Sequence, residues 1–312
     1  MKKAVIVGCN GQDGKIAYGF LSAKNYDVIG IDRGVIKGSS GSLSIDISIF
    51  EDVAGLLNDF RPDEVYYFAA FHHSSEDRAA EDVMNLFEQS YRINVRALLH
   101  FLEGIRKFSP QTRLFYAGSS LLFGDADEEI QNESTPFKPE TIYGITKLDG
   151  ILSCRYYRKS YGMFASTGIF YNHESQYRTE NFISKKIIKG ALDISRGKKD
   201  KLVLGNLSAE VDWGYAPDYV DAAHRILQTD SPDEFIIATG KLHSVLDFAS
   251  ITFDYLGLNW RDHVIENKTV LTRNRKTLAG DPSRLMQLTG WRPTVDFKEM
   301  IRLLLIAEGA EL

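Results

Sequence analysis

A chain of 312 residues, 44% hydrophobic and 25% charged, has ordinary globular composition and room for one large core or two domains sharing an interface. Its net charge of −5 excludes the basic footprint of a nucleic-acid-binding protein, and no apolar run reaches the length of a membrane span. Only two cysteines, Cys9 and Cys154, are present, without metal-type spacing, and the apolar N-terminal stretch is too short for a secretory leader, so a cytoplasmic protein is expected.

In chain order, KAVIVG (3–8) reads as a first strand, followed by a glycine turn and a helix over 14–24. YDVIGID (26–32) reads as a second strand, SLSIDIS (42–48) as a third, FEDVAGLLNDF (50–60) as a helix and EVYYFAA (64–70) as a fourth strand. Residues 81–107 read as one helix, with Met84, Phe87, Tyr91, Val95, Leu98, Leu99 and Leu102 spaced along one face. RLFYAG (113–118) is the fifth strand, 141–160 a second long helix and MFASTGIF (163–170) a further strand. Beyond 171 the alternation stops. Short strands at KLVLGN (201–206) and EFIIATG (234–240) mix with helices at 181–195 and 217–229, and the basic run ISRGKKDK (194–201) reads as a solvated loop. Strands alternating with helices predict an α/β fold with a parallel sheet covered on both faces.

The stretch VIVGCNGQDGK places Gly8, Gly11 and Gly14 directly after the first strand and at the start of a helix. Absent side chains let the backbone approach a pyrophosphate, and the helix N-terminus offers unpaired N–H groups. This predicts a Rossmann, doubly wound domain over 1–170 and a smaller, mainly substrate-binding domain over 171–312, parts of which return to the sheet. Asn10, Gln12 and Asp13 lie within the same loop. Asp32 ends the second strand at the distance expected for the residue holding the adenosine ribose, which favours NAD; Arg33 beside it suits a 2′-phosphate and keeps NADP as the alternative. Asp46 either faces the adenine edge or is a surface turn residue. With Ile47, and with Phe68, Ala69 and Ala70 at the end of the fourth strand, it completes the expected cofactor-binding set.

ETIYGITKLDG contains Tyr143 and Lys147, one helical turn apart. A phenol with an ordinary pKa near 10 is a poor base at neutral pH, and a nearby ammonium stabilises its phenolate. In RLFYAGSSLLFG, Ser119 stands where the fifth strand ends, placed to orient a substrate hydroxyl or carbonyl, with Ser120 beside it.

With these residues the chain resembles the extended short-chain dehydrogenase/reductases that act on nucleotide sugars, and within them the GDP-mannose 4,6-dehydratases. The matching stretches are GQDG (11–14), FAAFHH (68–73), ESTPFKPETIYGITK (133–147), YGMFASTGIFYNHES (161–175), LGNLSAEVDWGYAPDYV (204–220) and GDPSRLMQLTGWRP (280–293). The resemblance implies hydride transfer at sugar C4, a nucleotide-diphosphate sugar as substrate (a GDP-sugar favoured), and substrate contacts from Asn172, Lys186 and either Arg273 or Arg275. His73 and Ser120 join that set. It also implies a homodimer or tetramer joined through the two long helices. Three departures stand out. The dehydratases carry a glutamate two positions after the catalytic hydroxyl, where this chain has Leu121. Val211 replaces an arginine before DWG, and Gly34 replaces the second arginine after the second strand.

The expected activity is therefore C4 oxidation or 4-keto reduction without dehydration. The enzymatic alternatives are a C4 epimerase and a dehydratase with a relocated acid/base; the non-enzymatic one is a cofactor-binding regulator. His72 and His73 are adjacent and lack a third ligand, so no metal is expected. Cys154, Tyr156 and Tyr157 read as helix packing, and His173 and Glu174 as residues that shape their loop.

Overall fold

The computed structural model describes residues 1–32, 35–37, 45–71, 82–267 and 278–312, with the side chains of 35–37 left aside. The β-rich runs KAVIV and DVIGID become strands β1 (Lys3–Val7) and β2 (Asp27–Asp32), joined by helix α1 (Gln12–Ala23). After them come β3 (Val35–Lys37), α2 (Phe50–Phe60), β4 (Glu64–Tyr67), α3 (Val83–Tyr91), α4 (Ala97–Phe108) and β5 (Arg113–Ser119). The short β6 (Ile130–Gln131) precedes α5 (Ile142–Tyr161) and β7 (Ala165–Phe170). Then follow β8 (Asn172–Glu174), α6 (Ile183–Ser195), β9 (Leu202–Leu204), β10 (Glu210–Tyr215), α7 (Ala216–Ile226) and β11 (Glu234–Ile237). The chain closes with β12 (Leu242–Ser244), α8 (Val245–Tyr255), β13 (Val264–Glu266), β14 (Ala279–Gly280), α9 (Ser283–Thr289) and α10 (Phe297–Ala307).

The central sheet has seven strands in the order β11-β7-β5-β4-β1-β2-β3. All pairings are parallel except β2 with β3. This is the doubly wound Rossmann arrangement, with helices on both faces. One apolar cluster packs Val53, Leu57, Leu98, Phe101, Leu102 and Ile151 against one face of the sheet. A second packs Ala17, Leu21, Tyr219, Ala223 and Trp291 against the other. Each such fully buried Leu or Phe contributes about 1.5–3 kcal/mol. A third cluster, around Trp213, Phe248, Phe253 and Met300, gathers α6, α8 and α10. Segments late in the chain do join the sheet, since β11 pairs with β7 and extends it by one strand.

Three expectations need correction. The third strand is the antiparallel β3 at 35–37; residues 45–48 form a turn, and the rest of 42–48 lies outside the described residues. The helix expected over 81–107 runs from Val83 to Phe108 but takes a π-helical turn at Arg92–Arg96. Its apolar face divides accordingly: Leu98 and Leu102 are fully buried, whereas Met84 and Tyr91 are exposed. Tyr156 is likewise exposed and meets Tyr157 and Tyr161 edge-on at the surface of α5 rather than packing inward; Cys154 is buried as expected.

Candidate active site

The C-terminal ends of β1, β4, β5 and β7 meet at one edge, the usual ligand-binding end of such sheets. Gly8 sits at φ +90°, and a Cβ on it would lie 2.7 Å from the Ala69 nitrogen. On Gly14 a Cβ would come within 2.1 Å of the Gly8 carbonyl oxygen. Only glycine permits this turn and this helix–loop approach. Gly11 caps α1 without a side-chain hydrogen bond, and the first intrahelical bond runs from Lys15 N–H to the Gly11 carbonyl, 3.0 Å. The N–H groups of Gln12, Asp13 and Gly14 therefore precede the helical ladder and form an anion cradle. This fits the pyrophosphate of a dinucleotide.

Asp32 reaches the same loop, its Oδ2 accepting from Asn10 N–H at 3.0 Å. The backbone N–H groups of Phe68 and Ala69 both donate to the Val7 carbonyl, at 2.9 and 2.8 Å, which fixes the end of β4 beside the cradle; Ala70 is exposed. Asp46 is exposed and accepts from Ser48 N–H and Oγ at 2.8 and 2.7 Å, an Asx turn that holds its carboxyl below the usual range. The Ile47 carbonyl meets His100 Nδ1 at 3.0 Å. Arg33, His73, Arg273 and Arg275 lie outside the described residues.

Tyr143 and Lys147 are presented by α5, whose start is capped by Thr141 Oγ1 accepting from Gly144 N–H at 3.0 Å. Lys147 is buried; its Nζ lies 5.6 Å from the Tyr143 ring centre and donates to the Ala117 carbonyl of β5 at 2.8 Å. Burial pulls the Lys147 amine down to about 7, and burial pushes the Tyr143 phenol well up, with the Asp13 charge adding to that rise. The ammonium expected from sequence to lower the phenol is not what acts on it: burial dominates, and the charge that lowers Tyr143 is that of Arg178. Ser119 ends β5, its Oγ accepting from Leu121 N–H at 3.3 Å, and Ser120 beside it is buried. Leu121 is half-buried, and its carbonyl lies against Gly144, next to Tyr143.

On the facing side, β8 pairs with β10 through Asn172 and Trp213. Asn172 is exposed. Lys186, on α6, is half-exposed, its N–H donating to the Phe182 carbonyl at 3.0 Å. Glu174 is buried, accepting from Ser184 Oγ at 2.5 Å and paired with Arg178 Nε at 3.2 Å. Val211 packs against the third apolar cluster, opposite His243.

One residue missed from sequence is Asn94, buried within the π-helical turn. Its Oδ1 accepts from Phe71 N–H at 2.8 Å and its Nδ2 donates to Thr146 Oγ1 at 3.0 Å, tying the end of β4 to the Tyr143 helix. The available signal was a polar residue four positions before Leu98, on the buried face. Gln12 and Ser175, linked at 2.9 Å, were also missed as a pair, since residues 163 apart carry no local pattern.

The doubly wound sheet and glycine cradle agree with what sequence comparison shows, an extended short-chain dehydrogenase/reductase of the nucleotide-sugar class. The sequence profile of GDP-mannose 4,6 dehydratase matches residues 5–304, and the chain belongs to that family. It is 33% identical to GDP-mannose 4,6 dehydratase 1 of Arabidopsis thaliana over 336 residues, spanning 100% of this chain and 90% of that protein. Among solved structures, RMD from Pseudomonas aeruginosa, complexed with NADPH, superposes with a TM-score of 0.83 at 18% identity, covering 98% of each chain. UDP-glucose 4-epimerase of Thermus thermophilus, complexed with NAD, does so with a TM-score of 0.80 at 21% identity, covering 99% of this chain and 100% of that one. Among the described residues no helix is long and apolar enough to cross a membrane.

Proposed function

We propose that the protein transfers hydride between a nicotinamide dinucleotide and C4 of a nucleotide-diphosphate sugar, a GDP-sugar favoured, and leaves C6 unchanged. The observation that carries this reading is a strand end with Ser119, Tyr143 and Lys147 in place and Leu121 two positions after the serine. When bound, the nicotinamide supplies the hydride exchange. The cradle at Gly8–Gly14 and Asp32 would hold the dinucleotide, with NAD ahead of NADP. Ser119 would hydrogen-bond the C4 oxygen. Tyr143 would exchange the proton at that oxygen, and Lys147 would hold the ribose and the phenol's charge.

The second reading, 4,6-dehydration, is favoured by membership of the family. It requires one group to take the C5 proton and protonate the departing C6 hydroxyl. Leucine carries no proton to exchange. Glu174, an acid nearby in sequence to Asn172, is committed to Ser184 and Arg178. The test is incubation with GDP-, dTDP-, UDP- and CDP-hexoses and their 4-keto-6-deoxy forms, followed by mass. A gain or loss of two hydrogens is expected. Loss of water from an intact hexose at a comparable rate overturns the reading.

We also propose a homodimer through α3 and α5. Val83, Met84, Leu152, Tyr156 and Tyr161 are exposed apolar side chains on those two helices, which suits a helix-to-helix interface. Mass measurement in solution tests it, and a monomer at micromolar concentration refutes it.

A further inference from the structure

The first turn of α1 and strand β8 lie far apart in sequence, yet three side-chain contacts join them. Gln12 Nε2 donates to the His173 carbonyl at 3.0 Å, and Ser175 Oγ donates to Gln12 Oε1 at 2.9 Å. His173 Nε2 lies 3.0 Å from Asp13 Oδ1. The His173 ring is itself held in place. Tyr219 stacks on it at 4.7 Å between centroids, Phe170 meets it edge-on at 5.0 Å, and its Nδ1 is 2.7 Å from the Tyr171 carbonyl. The His173 ring is thus anchored through both nitrogens, to the Tyr171 carbonyl and to the Asp13 carboxyl. Both ends of the Gln12 amide are engaged on 173–175, and Asp13 Oδ1 is engaged on His173. The backbone N–H groups of both residues belong to the cradle at the start of α1.

We propose that Gln12, Asp13, His173 and Ser175 form a clamp that positions the substrate strand: it fixes β8, and with it Asn172, against the dinucleotide loop, while the Asp13 carboxylate it holds sets the electrostatic surroundings of Tyr143 and Lys147. All four are positioning residues. The inference rests on the reading of Tyr143 as the proton-transfer group. Burial works against the Asp13 carboxylate, but the charge and hydrogen bond of His173, with the charge of Arg178, hold it below the usual range. The Asp13 charge in turn raises both Tyr143 and Lys147. The other groups facing the pair are Arg178, which lowers Tyr143 and is paired with Glu174, and the Tyr219 phenol on α7. Lys15, on the same turn of α1, is directed at the Tyr177 ring, 5.1 Å away.

The experiment compares wild type with Asp13→Asn, His173→Gln, the double variant and Ser175→Ala, with Tyr143→Phe as control. NAD⁺ is titrated calorimetrically, hydrogen exchange is followed at 171–175, and kcat, KM and their pH profiles are measured on the nucleotide-sugar panel. Expected are NAD⁺ affinities within about threefold of wild type and faster exchange at 171–175 in both single charge variants. Turnover should fall roughly 10–100-fold, the effect of slight misplacement at a reacting centre. The pH limb governed by Tyr143 should move down in Asp13→Asn, which removes the raising charge. The double variant should lose about as much turnover as either single variant, since both break one contact. Ser175→Ala buries no unpaired charge; it should fold and still speed exchange at β8. A tenfold loss of NAD⁺ affinity in Asp13→Asn with unchanged exchange would make Asp13 a cofactor contact and overturn the clamp. An unshifted pH limb in Asp13→Asn would overturn its electrostatic half. If wild type turns over no sugar on the panel, the functional reading fails on its own, and the exchange and NAD⁺ measurements still decide the clamp.

Discussion

On the dinucleotide side of the site, the chain works with backbone: Gly8 at positive φ, Gly14 pressed on a carbonyl, and uncapped N–H groups at the start of α1. Around that cradle it works with buried side chains: His173 on Asp13, Glu174 between Ser184 and Arg178, and Asn94 between Phe71 and Thr146. A backbone site recognises what every dinucleotide shares, a pyrophosphate, and leaves little to vary. A side-chain site can be altered one residue at a time while the sheet stays intact. Leu121 is such an alteration as we read it: the neighbouring Ser119 and the Tyr143 helix keep their places, and one proton-exchanging group is absent.

The sharpest way to separate the two sides is Tyr143→Phe. Turnover should fall by about two to four orders of magnitude, the range for a lost general acid/base. NAD⁺ affinity, measured by calorimetry, should stay near wild type because the cradle does not use the phenol. A Phe variant with near-normal turnover would break the assignment. Gly14→Ala is the reciprocal change. Its Cβ would lie 2.1 Å from the Gly8 oxygen, so α1 must move off the loop. Overpacking of this kind costs about 1–3 kcal/mol of stability, and NAD⁺ affinity should drop roughly tenfold or more (~1.4 kcal/mol). Thermal melts and the same calorimetry read both; a variant that binds NAD⁺ normally would show that the close approach is not needed.

The same contrast governs what could be read from sequence. The cradle is a local motif: glycine spacing, a preceding strand and a following helix all sit within a dozen residues, so Gly8, Gly11, Gly14 and the parallel order of β1, β4 and β5 were legible. Tyr143 and Lys147 were legible because one helical turn relates them. The clamp was not, because its two halves meet only after the sheet has formed. The π-helical turn at 92–96 was missed for a related reason. Apolar periodicity continues through it, and the buried amide it carries, Asn94, finds its partners on two other segments. The short antiparallel β3 was missed because three residues are too few to show alternation.

A third prediction concerns Lys147, which belongs to both sides. Its folded value of about 7 lies below the ordinary 10.5, so the fold favours the neutral amine. Between those values the unfolded chain binds the extra proton, and stability rises with pH. The contribution is complete above 10.5 and lost as pH falls through 7. The slope is about 1.4 kcal/mol per pH unit within the window. Lys147→Met should remove it. Melting temperatures of both proteins without cofactor, compared between neutral pH and pH about 9.5, isolate the lysine from other titrating groups. Parallel curves for the two would mean that the ammonium is accommodated, not the amine.

The smallest effect is expected at Asp32, and the structure explains why it should be small. As the residue placed for the adenosine ribose, its carboxylate would accept from the 2′-OH and repel a 2′-phosphate, which favours NAD. Yet Oδ2 already accepts from Asn10 N–H at 3.0 Å, so part of the carboxylate serves the loop itself. Asp32→Ala therefore removes a ribose partner and a loop tie together. NAD⁺ affinity should fall severalfold, and NADP⁺ should gain only what the lost repulsion returns, less the cost of a looser loop. Asp32→Asn separates the two parts. Its amide oxygen still accepts from Asn10 while the negative charge is gone, so it should narrow the NAD⁺/NADP⁺ difference at least as much as alanine does, with a smaller loss for NAD⁺. Calorimetric titration of both cofactors into the three proteins measures this. A wild type that prefers NADP⁺ by tenfold or more (~1.4 kcal/mol) would transfer the choice of cofactor from Asp32 to its neighbour Arg33.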